Sequence, residues 1–358
     1  AEQKRREWNL DGHLAALNTL RQEVTDAQAL PPSLAGVDPK LAGHGPDERW
    51  RDVPRVHEYR TNVPAGSTIS WIDEFDAEGR TWLVTGDLAL VPKDKVAPFA
   101  RSEFRGLALD DANKLPQGWV RGKPRPKLRR GADGTFAADG EWRRLTRFGL
   151  TGRREQSAGR AYLETTDAGA WIDERHAAVA RASALTPWGD AVIGATADAG
   201  RAVQRTRSAP PTTSRATWVE VDVHGGWLIA YEGPEPVYAT LVSPGRGRTL
   251  RGGDDELVES ATPPGVYDVL GKYLASTMAV TSIVHFDVTF AMPFFGTYAL
   301  HTSYSHDRWG EKKSLGCVNL APIDARWLFA WAEPSLPEGW HGASFQADTG
   351  YRTIVVVH

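Results

Sequence analysis

The sequence predicts a mainly β, multidomain protein: a short helical arm, two small β-barrels, and a larger C-terminal β domain. Three observations predict it. Short alternating runs ended by Gly or Asp recur through the middle of the chain, the pattern of strands joined by turns. A segment beginning at Gly79 returns 80 residues later at Gly159, the mark of a duplicated unit. A Pro/Ser/Thr stretch then precedes a C-terminal part whose strand signals follow in quick succession.

The elements follow in chain order. Residues 1–50 carry one helix, roughly Asn9 to Ala27, with Leu10, Leu14, Leu17 and Leu20 at helical spacing and Asp11 able to cap its start. Pro31, Pro32, Pro39 and Pro46 make the rest of this arm an extended connector. The repeat aligns Gly79-Arg80-Thr81-Trp82-Leu83-Val84-Thr85-Gly86-Asp87 with Gly159-Arg160-Ala161-Tyr162-Leu163-Glu164-Thr165-Thr166-Asp167 without a gap. Lys93-Asp94-Lys95 and Asp173-Glu174-Arg175 follow at matching offsets. A turn, an aromatic-Leu-x-Thr strand and a short strand resemble bacterial SH3-like domains, which places one such barrel at 51–125 and a second at 126–205. The basic run Arg121 to Arg130 reads as a solvated edge strand, its Pro and charges blocking edge pairing. Contact with an anionic wall polymer is the other reading.

Residues 206–214 read as the linker and 215–358 as the last domain. Strands are expected at Thr217 to Val223, Trp227 to Tyr231 and Val237 to Val242, with Gly225-Gly226 as a hairpin turn. Thr353 to Val357 reads as a buried strand.

Composition bounds the function. The 358 residues are 41% hydrophobic and 24% charged, with net charge −3. Each domain can bury a core, and nucleic acid is not expected as a partner. No run approaches the ~18–20 apolar residues of a membrane span. Ala1-Glu2-Gln3-Lys4-Arg5-Arg6 leads into no apolar segment, so the chain reads either as cytosolic or as one whose signal has been removed.

Cys317 is the only cysteine. It excludes an internal disulfide and argues against a thiolate zinc site. It reads either as a small core residue or as a nucleophile, and its neighbourhood favours the second. His301 stands 16 residues before it, and Ser314-Leu315-Gly316 forms a turn directly ahead of it. A thiol needs a base to ionise near neutral pH, since its free pKa is about 8.5. The turn's N–H groups could face a developing oxyanion. His306, His285 and His341 by themselves read as ordinary surface or core residues. A metal site from His301, His306 and Asp307 lacks supporting spacing, and neither metal nor cofactor is expected.

The segment His301 to Asn319 resembles the catalytic motif of the L,D-transpeptidases (YkuD-type): a histidine followed by a small residue, then Ser-His-Gly-Cys-x-Asn. Tyr304, His306, Trp309 and Gly310 match one branch's Tyr-x-His-x-x-aromatic-Gly, and Asp324 to Trp331 resembles the helix that follows it. Upstream, Val242-Ser243-Pro244-Gly245 and Thr262-Pro263-Pro264-Gly265-Val266-Tyr267 resemble the family's paired turns. The resemblance implies a YkuD-type β-sandwich or barrel over most of 217–358, and leaves residues 1–205 unexplained. It implies Cys317 as nucleophile, His301 as base and then acid, and the Thr302 carbonyl as the group that orients His301. Gly316 and Cys317 would supply oxyanion N–H groups. Ser314, Leu315, Asn319, Tyr304, His306 and Trp309 would line the substrate. Leu315 departs from the family, which has histidine there.

The implied reaction is acyl transfer on peptidoglycan stem peptides through a cysteine thioester, in the periplasm or extracellular cell envelope. Water as acceptor would make the enzyme an L,D-carboxypeptidase or endopeptidase. A rival of another class is a catalytically retired protein that holds wall peptide with its SH3-like pair; intact His301 and Cys317 speak against it. A cytosolic cysteine protease would want a third orienting Asn or Asp and a cysteine that opens a helix.

Overall fold

The computed structural model describes residues 63–195, 210–247, 260–346 and 350–358, apart from positions 78, 87, 211, 213, 281 and 282. The expected helical arm and most of the linker lie outside the described residues. Two compact units are formed, Ala1–Pro98 with Thr277–Asp287, and Phe99–Ser276 with Val288–His358.

In the first unit, strands Asp73–Ala77, Arg80–Val84 and Leu90–Pro92 make an antiparallel sheet in that order. In the second unit, Arg147–Ser157, Arg160–Thr165 and Ala170–Asp173 make the corresponding succession. The likeness extends to backbone detail. Gly79 and Gly159 turn their hairpins at φ 71° and 72°, where a side chain would be strained. Pro92 and Asp173 each precede a 3-10 turn at φ −64°. Thr85 and Thr165 use their hydroxyls on the carbonyls of Ala89 and Ala170. The repeated sequence is therefore a repeated local structure.

Around the second copy the sheet grows to seven strands, ordered from one edge to the other as Ala177–Ala180, Gln117–Val120, Arg147–Ser157, Arg160–Thr165, Ala170–Asp173, Arg125–Arg130 and Phe136–Trp142. The basic strand Arg125–Arg130 is thus internal, which corrects the edge-strand expectation. Opposite charges permit this: Lys127, Arg129 and Arg130 pair with Asp167, Asp139 and Glu155. A bulge at Pro126 absorbs the ladder position at which proline cannot donate.

The C-terminal region is built on a six-stranded sheet, ordered Gly265–Asp268, Ile354–Val357, Thr217–Asp222, Trp227–Glu232, Glu235–Leu241 and Leu107–Ala108. Ile354–Val357 lies inside it, parallel to Thr217–Asp222. Side chains alternate across the sheet. Val219, Val221, Leu228, Ala230, Val355 and Val357 enter one core. Trp218, Ile229, Tyr231, Leu241, Ile354 and Val356 enter another. Both faces are covered, so these strands read as near-continuous apolar runs.

The first core is closed by a five-stranded sheet, ordered Val318–Leu320, Tyr298–Thr302, Ile283–Phe295, Gly271–Val280 and Gly342–Ser344, and by the helix Pro322–Trp331. The second core contains Trp119, Ala178, Trp188 and Trp309. Residues from both stretches expected to form separate small domains, 51–125 and 126–205, are therefore packed on the C-terminal sheet, and the first lends it the strand Leu107–Ala108.

Candidate active site

The site stands where two short strands run parallel. Tyr298–Thr302 pairs with Val318–Leu320, setting His301 opposite Asn319 and Thr302 opposite Leu320. Residues opposite one another share a face, and alternate residues return to it. Cys317, one residue ahead of its strand and two before Asn319, therefore falls on the His301 side.

His301 Nδ1 donates to the Thr302 carbonyl at 2.8 Å. That bond puts the ring proton on Nδ1 and leaves the lone pair on Nε2. Nε2 receives the Asn319 amide Nδ2 at 3.0 Å. The other end of Asn319, Oδ1, lies 3.2 Å from His306 Nε2, and His306 Nδ1 accepts the N–H of Arg308 at 3.2 Å. The Cys317 sulfur is half-buried and reaches the Thr297 carbonyl at 3.7 Å. Burial pushes the Cys317 thiol up, partly offset by an Ala299 backbone contact.

The turn before the nucleophile is tightly held. Ser314 donates its hydroxyl to the Cys317 carbonyl and receives the Gly316 N–H at 3.0 Å. Thr262 Oγ1 donates to the Gly316 carbonyl at 2.7 Å and accepts the Gly245 N–H at 2.8 Å. Both upstream turns thus fasten onto the segment: Ser243 bridges Asn319, and Gly245 bridges Ser314. Gly316 sits at φ 127°. A Cβ there would come within 2.4 Å of the Tyr298 ring, so glycine is demanded by both backbone and space.

Three expectations change. Gly316 was expected to offer its N–H to an oxyanion, but Ser314 holds that N–H. Trp309 was expected to line substrate, but it is 0% exposed; it stacks against Phe104 and donates to Ser102 Oγ at 2.9 Å. Asn319 and Ser314 are buried, so they act on the site's own groups. Leu315 and Tyr304 remain accessible, at 41% and 39% exposure. His285 bonds Thr68, and His341 bonds the Ala275 carbonyl.

Sequence reasoning gave no role to Thr262, Thr297 or Thr289. Thr289 donates to the Thr302 hydroxyl at 3.0 Å and lies 2.9 Å from the Tyr304 hydroxyl. Thr262 carried one signal, its place in the Thr-Pro-x-Gly turn; the other two carried none.

Residues 216–357 match the L,D-transpeptidase catalytic domain family (YkuD). This region is an L,D-transpeptidase catalytic domain. Solved structures similar to the chain include an L,D-transpeptidase from Xylanimonas cellulosilytica, at 23% identity over 42% of this chain and 65% of that one, TM-score 0.28. An L,D-transpeptidase mutant from Enterococcus faecium matches at 21% over 40% and 50%, TM-score 0.30. An L,D-transpeptidase from Stackebrandtia nassauensis matches at 21% over 44% and 62%, TM-score 0.28. The chain thus spans between half and two thirds of these proteins. Comparison with curated proteins gives no match. Among the described residues, no helix of this transpeptidase-domain protein is long and apolar enough to cross a membrane.

Proposed function

We propose that this protein is a peptidoglycan L,D-transpeptidase of the cell envelope, working through a thioester on Cys317. The observation that carries the reading is the state of His301: Nδ1 is fixed by the Thr302 carbonyl, Nε2 holds the lone pair and receives the Asn319 amide, and His301 pairs with Asn319, two residues after Cys317. A neutral imidazole so oriented can take a thiol proton at Nε2.

The reaction then balances as follows. The thiol turns from the Thr297 carbonyl, the Asn319 amide gives up its bond to His301 Nε2, and the freed lone pair there takes the thiol proton. Sγ bonds to the carbonyl carbon of the third stem residue. As the tetrahedral centre collapses, the C–N bond to the terminal D-alanine breaks and His301 returns the proton to the departing amine. An acceptor amine next attacks the thioester and passes a proton to His301. The C–S bond breaks, and the thiolate recovers that proton.

The test is acylation by a carbapenem, read by intact mass. Wild-type protein should gain one adduct and Cys317→Ala none. His301→Ala should acylate about 10²–10⁴-fold more slowly, the range for loss of a positioned base. An adduct on Cys317→Ala would overturn the assignment of the nucleophile.

A further inference from the structure

Four hydrogen bonds run in series from the Arg308 N–H, through His306, Asn319 and His301, to the Thr302 carbonyl. Both ends are main-chain groups whose polarity is fixed: an amide N–H only donates and a carbonyl only accepts. That settles every group between them. His306 Nδ1 accepts from Arg308, so its proton is on Nε2. Nε2–H faces Asn319, so the Asn319 oxygen must lie on that side and its NH₂ toward His301. His301 then keeps its lone pair on Nε2 and its proton on Nδ1.

We infer that His306 is a positioning residue: its Nε2–H locks the Asn319 amide in one orientation, and through it holds His301 in the tautomer that can accept the thiol proton. The inference rests on the function proposed above and assigns His306 a part distinct from touching substrate. The physical reason is a clash of donors. An inverted Asn319 would place its NH₂ against His306 Nε2–H, leaving two donors facing each other in a buried place. It would also place its oxygen on His301 Nε2, favouring a proton on the nitrogen whose lone pair the thiol proton needs. The Asn319 backbone leaves little alternative, since its N–H and carbonyl are bonded to Ser243 at 3.0 and 2.9 Å.

The surroundings suit the role. The His306 ring packs on Trp309 at 5.0 Å between centroids. Burial holds its pKa below the ordinary imidazole value, against the Asn319 bond and Asp307, which raise it, and with Lys313 and Arg308, which lower it further. A neutral ring is what the Arg308 N–H requires of Nδ1.

The experiment uses the full chain labelled with ¹⁵N-histidine. Long-range proton–nitrogen spectra at neutral pH report the tautomer of each ring, with His301 assigned by its loss in His301→Gln. Wild type should show His301 as the Nδ1–H form and His306 as the Nε2–H form. His301 in the Nε2–H form in wild type would overturn the inference without any variant of His306. His306→Leu should release the lock, with His301 leaving the Nδ1–H form. Carbapenem acylation should slow at least tenfold, bounded by the ~10⁴-fold that a wrong tautomer costs a Ser–His–Asp protease. His306→Gln, whose amide can still donate to Asn319, should recover the tautomer and most of the rate. Leu and Gln variants with equal rates and equal tautomers would reduce His306 to a packing role and sink the inference. If wild type is not acylated, the proposed reaction fails, while the tautomer spectra still decide the lock.

Discussion

At the scale of single residues, the nucleophile and the position beside it behave differently from what the bare motif suggests. Cys317 rests with its thiol toward a carbonyl and its pKa raised by burial. A raised thiol pKa leaves less thiolate at neutral pH and restores it as pH rises. Iodoacetamide alkylation of Cys317 should therefore show a midpoint above the ~8.5 of a free thiol; a midpoint below that value would contradict the resting thiol. Leu315, where the family has histidine, is exposed, so an imidazole there meets no packing barrier. Leu315→His should speed alkylation near pH 7 by adding a polar, titratable neighbour. Superimposable profiles for the two proteins would confine position 315 to substrate fit.

At the scale of elements, the turn Ser314 to Cys317 and the helix after it carry the site's rigidity. Gly316→Ala would have to place a Cβ 2.4 Å from the Tyr298 ring at φ 127°. Backbone strain and overpacking together should cost about 2–5 kcal/mol, visible as a lowered urea midpoint. The helix Pro322–Trp331 is held at its far end by Lys272, which is 1% exposed. Its Nζ donates to the Ala332 carbonyl at 2.8 Å and lies 4.8 Å from the Phe329 ring centre, where a cation suits the helix dipole. Burial, aided by Arg215, lowers the Lys272 pKa to about 8. An unfolded lysine titrates near 10.4. Between those values the unfolded chain binds more protons, so this group's contribution to stability rises with pH over that window and is flat below it. The stability of wild type relative to Lys272→Met should increase by roughly 1–3 kcal/mol from pH 7.5 to pH 10.5. An unchanged difference would show that Lys272 is not buried in its charged form.

At the scale of the second compact unit, the C-terminal sheet has two buried faces. One holds the catalytic strands and helix; the other holds Trp119, Ala178 and Trp188 from the preceding part of the chain. The loop that bears His306 is fastened to both. Trp309 donates to Ser102, Arg144 pairs with Asp307 and donates to its carbonyl at 3.0 Å, and Gly310 donates to Val242 at 3.0 Å. The second unit, Phe99–Ser276 with Val288–His358, should therefore melt in one transition, and Trp119→Ala should lower it, by about 3–5 kcal/mol of lost packing. A fragment of 215–358 alone would expose Trp218, Ile229, Tyr231 and Val356 as one apolar face, and should be aggregation-prone by light scattering. A soluble, cooperatively folding fragment would show that the tryptophan cluster is dispensable.

Much of this molecule could be read from the residue order because the signals were local. Gly79 and Gly159 mark turns that only a residue free to take positive φ makes easily, and the repeat they open is a repeat in space. His301, Thr302 and Cys317 lie within one short segment, and the carbonyl expected to orient the histidine belongs to the next residue. The rest depended on what distant segments bring together. Trp309 sits inside the motif yet is claimed by Ser102 and Phe104, which no spacing reveals. Arg125–Arg130 is charged enough for an edge, but its partners Asp139, Glu155 and Asp167 come from other strands and let it lie inside. Asn319 could be named from the motif, but not the direction of its amide. That direction depends on two histidines that flank it only after the parallel pair forms, and hydrogen-bond polarity passes through contacts rather than along the chain.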